Sequence, residues 1–215
     1  MTSTERVVRA VAADMADMRD QLNGLDGVAG DGDLGNTIVA ASEAIVAILP
    51  ELEALRPEER LRRIGLEISR RAPSSSGTLV AFAFLAAAKV PPGDGDGGPP
   101  TAGIARWFRA GTDAIRQRGK ASPGEKTLVD ALEPACDVLE EASIGPVTTA
   151  LVADALAQAA DAAERGAQAT ASMVPQHGRA AWLAARSADH EDAGARAIAL
   201  LLRSVARHAT EPPSD

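Results

Sequence analysis

Apolar residues recur at spacings of three and four in eight stretches of this chain, each closed by a Gly- or Pro-bearing break. Residues 5–23 form the first, with Val7, Val8, Val11, Met15, Met18 and Leu22 on one face and Asn23-Gly24 as its end. Asn36 or Thr37 caps a second, running through Ile38, Ile45 and Leu49 to a stop at Pro50. Further helices are expected over about 58–71, 78–89, 102–118, 127–142, 147–169 and 193–208. Thr127 with Asp130 three positions on is a capping-box pattern for the sixth. The composition agrees: hydrophobic residues make up 46%, largely Ala, Leu and Val, while aromatics are 2% with no Tyr. Strands favour the aromatic and β-branched types, whereas small residues let helices approach closely.

Short connections between consecutive helices imply antiparallel neighbours in an up-and-down array. The loops joining helices 1–2, 3–4, 5–6 and 7–8 then share one end. Those loops hold the acidic stretch Asp26–Thr37, the Pro73-Ser74-Ser75-Ser76-Gly77 turn, the Gly119–Lys126 segment and the Arg179–Gly194 stretch. The opposite end receives plainer punctuation: Pro50–Pro57, Pro91–Pro100 and Ser143–Pro146. Asp94 and Asp96 imitate the acidic stretch, but no third acid or capped helix follows directly. Residues 1–210 read as one helical domain, and 211–215 as a polar tail.

The acidic stretch, DGVAGDGDLGNT, interleaves Asp26, Asp31 and Asp33 with Gly27, Gly30, Gly32 and Gly35. Glycine permits turns that bring the three carboxylates to one point, where they repel unless a cation lies between them. Hard divalent ions with oxygen ligands suit such a group, Mg²⁺ above all where phosphates complete the shell. An EF-hand counted from Asp31 fails, with Asn36 at its sixth position and Ser42 at its twelfth. Helices 2, 4, 6 and 8 begin at this end and present unpaired amides to an anion. Lys120, Lys126, Arg179 and Arg186 lie in the adjoining loops. Acids for Mg²⁺ beside such donors suit a polyphosphate, although neither a Walker A loop nor a dinucleotide glycine fingerprint is present.

The net charge of −8 disfavours a nucleic-acid backbone as partner. No uninterrupted run reaches about 18 apolar residues, and residues 1–20 carry charge throughout, so a cytoplasmic protein without a membrane segment is expected. Cys136 is the sole cysteine, which excludes an intrachain disulfide and a cysteine zinc cluster, and it is expected in the core. His177, His190 and His208 have no metal-ligand spacing among themselves.

With LDGVAGDGDLGN, SSSGTL, RGKASPGEKTLVDALEP, Thr170…Met173, GRAAWLAARS and DAGA in this order, the chain resembles the L subunit of phosphotransferase-system dihydroxyacetone kinases from about Leu22 to Ala195. That subunit is equivalent to the nucleotide-binding domain of ATP-dependent dihydroxyacetone kinases. The resemblance implies an all-α, eight-helix antiparallel barrel with the nucleotide at one end. It implies that Asp26, Asp31 and Asp33 hold two Mg²⁺ ions bridging the phosphates of ADP or ATP. Leu34, Gly35, Asn36, Thr37, Ser75 and Ser76 fall on phosphate-side positions, and Gly119 and Leu128 on adenine-side ones. Arg179, Asp192, Ala193 and Gly194 fall on a segment that closes over the nucleotide. No catalytic residue is expected in the subunit itself. The implied partners are a K-type subunit carrying dihydroxyacetone and an M-type phosphohistidine subunit that recharges bound ADP. A homodimer is compatible with this arrangement. Leu34 stands where the family usually has His, Glu125 where it has Asp, and Ala193 where it has Pro. Two other readings remain: an ATP-dependent component for another short ketose or tetrulose, and a nucleotide-loaded regulatory protein without transfer activity.

Overall fold

The computed structural model describes residues 2–91, 100–143 and 149–210, and every regular element among them is helical. Eleven α-helices and one 3₁₀ turn are present: α1 Ser3–Asp17, α2 Arg19–Ala29, α3 Leu34–Leu52, α4 Pro57–Arg71, α5 Ser75–Ala87, α6 Pro100–Gly119, α7 Val129–Glu141, α8 Thr149–Ala169, the 3₁₀ turn Thr170–Ser172, α9 Gly178–Trp182, α10 Ala184–Ser187 and α11 Ala193–Thr210. Asp94, Asp96, the Gly145-Pro146 break and the 211–215 tail lie outside the described residues.

Each long helix packs on the next along the chain from α3 to α8, α8 packs on α11, and α11 returns to α1, which lies on α3. The circuit of neighbours is therefore closed. Its interior between α7, α8 and α11 is built almost wholly of alanine, with Ala131, Ala135, Ala159, Ala163, Ala195 and Ala199 buried. Small side chains allow such close approach, and a glycine allows a closer one still. A Cβ on Gly166 of α8 would fall 2.1 Å from the Asp130 carbonyl oxygen of α7.

Several helix limits differ from the pattern expected. The first helix breaks only at Met18 and resumes as α2, passing through Asn23 and Gly24, so Asp26 lies in a helical turn rather than a loop. The Leu22 amide still donates to the Met18 carbonyl at 3.0 Å, which carries the ladder across the break. Helix α3 starts at Leu34, so Asn36 and Thr37 lie in its first turn instead of capping it, and Pro50 does not end it. Pro50 gives up the bond to the Val46 carbonyl, and the helix runs only two residues further, to Leu52. Helix α5 starts at Ser75, which places the serines inside the helix start, capped by the Ser74 hydroxyl accepting from the Gly77 amide at 3.0 Å. Helix α7 starts at Val129 instead of Thr127. The capping pair there is rearranged: Asp130 accepts from the Thr127 amide at 2.8 Å, while the Thr127 hydroxyl accepts from Val129 at 3.2 Å.

Cys136 is buried as expected and donates to the Thr112 hydroxyl at 3.2 Å, burial pushing its thiol up to about 12. Helix α3, at 19 residues, is long and apolar enough to cross a membrane by length and composition alone. It lies here against α1, α2, α4 and α5, with Ile48, Leu49 and Leu52 buried among Val8, Leu55 and Ile64.

Gly166→Ala forces the α7 and α8 backbones apart, and overpacking of that kind costs about 1–3 kcal/mol. Gly24→Ala, in exposed helix with nothing within 4 Å of the new methyl group, is expected to stabilise by roughly 0.5–1 kcal/mol. Urea unfolding of the two variants reads both, and an equal response at the two positions would refute the packing account.

Candidate functional site

The last turn of α2 and the first of α3 form a clasp around the acids. Asp26 Oδ2 accepts from the amides of Gly32 at 2.8 Å and Asp33 at 3.0 Å, folding the 30–33 connection back over α2. Two glycines make the fold possible. Gly32 has φ of 75°, and a Cβ on Gly30 would lie 2.3 Å from Asp26 Oδ1. Across the clasp, Asn23 and Asn36 exchange two hydrogen bonds of 3.3 Å, and a Cβ on Gly35 would fall 2.1 Å from the Arg19 carbonyl.

One oxygen from each of Asp26, Asp31 and Asp33 lies within 4.8 Å of the other two. Desolvation and the like charges of Asp31 and Asp26 raise the Asp33 carboxyl above its usual range. For Asp31, desolvation acts in the same direction, but hydrogen bonds from Arg179 and from backbone outweigh it and the carboxyl is lowered. An exposed, all-oxygen donor set with unrelieved repulsion suits a hard divalent cation such as Mg²⁺. The residues fit the ion that the sequence pattern implies.

Other expected pieces come to the same end. The Thr37 hydroxyl donates to the Ser74 hydroxyl at 3.1 Å, joining the first turn of α3 to the cap of α5. Arg179 pairs with Asp31, and Arg186 Nη2 donates to the Gly27 carbonyl at 3.3 Å, so the segment bearing α9 and α10 lies against the acid clasp. A Cβ on Gly194 would sit 3.2 Å from Leu128 Cβ, bringing the starts of α7 and α11 together. A cavity of about 50 Å³ between the two halves is lined by Asp26, Gly30, Lys126, Asp192 and Ala193 among others. The space beside Gly119, at the end of α6, is open apart from Ala121 Cβ at 3.9 Å.

Three side chains are turned away from where the sequence pattern would have them. Leu34 is buried with Leu22 of α2 and Ala197 of α11. Burial of an apolar side chain beside α11 outweighs any surface placement. Lys126 is inside, donating to the carbonyls of Thr170 at 2.8 Å, Ser187 at 3.0 Å and His190 at 2.7 Å. Asp192 caps α11, its Oδ2 accepting from the Ala195 amide at 2.8 Å. Two contributors escape the sequence pattern: Asn23, which reads as half of an Asn-Gly helix stop, and Ser74, which reads as one more serine in a run. Their roles depend on partners 13 and 37 residues away.

Comparison with known proteins follows the same geometry. The model of the DAK2 domain matches residues 28–207. The chain belongs to the DAK2-domain family. A D-erythrulose kinase of Mycolicibacterium smegmatis is 37% identical over 182 residues, covering 83% of this chain and 30% of that protein. The mouse triokinase/FMN cyclase is 33% identical over 183 residues, again 30% of its length. The ADP-binding subunit of the Escherichia coli PEP-dependent dihydroxyacetone kinase is 30% identical and matched over 84% of its length and 85% of this chain. The chain thus spans about 30% of the fused kinases and most of the separate subunit. The crystal structure of the C. freundii dihydroxyacetone kinase in complex with AMP-PNP and Mg²⁺ covers 94% of this chain and 33% of its own, with a TM-score of 0.71 and 26% identity. Its native form gives a TM-score of 0.73. These relatives are kinases, and the DAK2 fold in them is all-helical as here.

Asp192 makes the DAK2 fold of this chain sensitive to pH. Desolvation, with the like charge of Asp130, pushes its carboxyl up to about 6, against the lowering effect of the Ala195 amide and Lys126. A raised folded-state pKa gives stability that is complete below the unfolded value near 3.8 and lost as pH rises through about 6. Asp192→Asn keeps a capping oxygen and mimics the protonated form. The variant is expected to melt above the parent at pH 7, with the gap closing by pH 4. A gap independent of pH, in parallel thermal melts, would overturn the assignment.

Proposed function

We propose that the chain binds an adenine nucleotide with Mg²⁺ and serves as the subunit from which a phosphoryl group passes to a short ketose, such as dihydroxyacetone, held by a partner. The observation that carries this reading is the gathering of three repelling carboxylates within 4.8 Å beside the starts of α3 and α5. Asp26, Asp31 and Asp33 would hold the metal, two ions by family resemblance. Bound Mg²⁺ would neutralise phosphate charge and support in-line transfer.

The chain's own groups supply the rest. The first-turn amides of α3, at Leu34, Gly35, Asn36 and Thr37, and those of Ser75 and Ser76 in α5, suit phosphate oxygens. The open side of Gly119 and the apolar Leu128 suit an adenine. Arg179 would stand over the phosphates and cover the site from the segment that already reaches Asp31, while Ala193 lines the adjoining cavity and Gly194 packs by Leu128. Asp192 would act at one remove, by capping α11. No general base or nucleophile for a sugar is evident in the site, so a K-type subunit must bring the substrate. The almost bare Trp182, 87% exposed on the same segment as Arg179, suits an anchor for that docking.

In this reading ADP stays bound and is recharged in place by an M-type phosphohistidine subunit, which fits the 84% coverage of the separate E. coli subunit. A second reading, exchange with free ATP in phosphorylating a tetrulose, is favoured by the 37% identity to a D-erythrulose kinase. Turnover supported by phosphoenolpyruvate and the general phosphotransferase proteins selects the first, and turnover with ATP alone selects the second. Transfer under neither condition with any K-type partner leaves a regulatory role.

The purified protein is expected to release ADP or ATP on denaturation. Asp31→Ala should lose that nucleotide yet remain helical. Bound ligand at a thousandfold excess over its Kd stabilises by about 4 kcal/mol, so the melting temperature should drop and added Mg-ADP should not restore it. Retained nucleotide with an unchanged melt would sink the metal role of Asp31.

A further inference from the structure

We propose that Lys126 is a positioning residue that holds the closing segment shut: it ties both roots of that segment to the α6–α7 loop and so sets how long a ligand stays in the acid-lined site. The residence-time part rests on the nucleotide reading above; the tie itself does not. Lys126 is 3% exposed, and its ammonium reaches the carbonyls of Thr170, Ser187 and His190 at 2.7–3.0 Å. An ammonium has three N–H donors, so these acceptors occupy all of them and leave none for a phosphate. Thr170 precedes α9, while Ser187 is the last residue of α10 and His190 follows that helix.

The neighbouring residue grips the same segment at a third place. Glu125 Oε2 meets His177 Nε2 at 2.5 Å, and the Glu125 carbonyl accepts from the Gln176 amide at 3.2 Å. Between these roots the segment is held to the acid clasp by weaker means. Arg179 and Asp31 pair with 63% and 49% of their side chains exposed, and exposed pairs contribute little. Arg186 adds one bond of 3.3 Å to Gly27. The fastening is therefore buried at the roots and light in the middle, the arrangement of a flap hinged at fixed ends.

Backbone geometry supports the same assignment. Lys126 at φ 59° and Asp189 at φ 61° both occupy the left-handed region, which non-glycine residues keep only where surroundings hold them. Asp189 lies between Ser187 and His190, whose carbonyls receive the ammonium. Burial lowers the Lys126 pKa, with Asp192 and Asp189 opposing the shift. Charge at this position is thus kept inside at a cost, and three carbonyls supply the return.

Lys126→Met and Lys126→Arg in the full chain test the proposal by two measurements. Hydrogen–deuterium exchange of the ligand-free protein should rise at least tenfold across 174–190 in Lys126→Met, with the α7, α8 and α11 amides unchanged. Release of a fluorescent ADP analogue with Mg²⁺ should quicken at least tenfold, and Lys126→Arg, a cation of the wrong shape for three carbonyls, should fall between. Exchange that rises in all helices together, or stays level across 174–190, overturns the tie. A loosened segment with unchanged release overturns the control of residence time. If the parent binds no analogue while the segment still loosens in Lys126→Met, the nucleotide reading fails and the tie stands. Should Lys126→Met not fold, the comparison of Lys126→Arg with the parent carries the same two outcomes.

Discussion

Close approach of helix backbones is the constraint on which this molecule depends. Where α8 crosses α7, the Gly166 Cα faces the Asp130 carbonyl with no room for a methyl group, and alanines continue the contact towards α11. The payoff in dispersion comes from many short contacts rather than from large side chains. It also fixes Asp130, whose carboxylate collects the Gly124 and Thr127 amides and shapes the loop that carries Lys126. Packing at the alanine core and the geometry of the ligand end are thus one problem.

At that end, backbone groups position like charges that would otherwise separate. Asp26 is held by two amides, and Gly30 and Gly32 let the chain reverse above it. Asp31 and Asp33 are left exposed, with Arg179, paired to Asp31, the only cation in a direct ion pair with either among the described residues. The arrangement stores electrostatic repulsion in a place where a divalent cation relieves it. It also makes Arg179 responsive: the same acid that attracts a metal attracts the closing segment.

The closing segment gathers the least regular part of the chain into one device. Short helices α9 and α10, the positive φ at Gly178 and the buried ammonium of Lys126 give it stiff ends and a light middle. In the function proposed above, its exposed Trp182 and its position against the acid clasp make this the face for a substrate-bearing partner.

The helical class, the neighbour order and the acid cluster were legible in the sequence because each rests on local rules: apolar spacing, Gly and Pro breaks, and carboxylates too close to be indifferent to one another. Helix limits were less legible. Asn23-Gly24 and Pro50 read as stops, yet α2 and α3 run through them, since packing on neighbours outweighs the local penalty. Residue identity alone also could not show direction. Lys126, Asp192 and Leu34 all stand in ligand-end motifs, and all three turn inward: the buried ammonium and the apolar contact are completed by residues remote in the chain, and the Asp192 cap by the start of α11. Sequence by itself determined which chemistry gathers at one end of a helical array. Only the tertiary structure decided which of those side chains face the acid clasp and which hold the site together, because that depends on hydrogen-bond partners 3 to 64 positions away, on apolar contacts reaching from Leu34 to Ala197, and on the space left between helices.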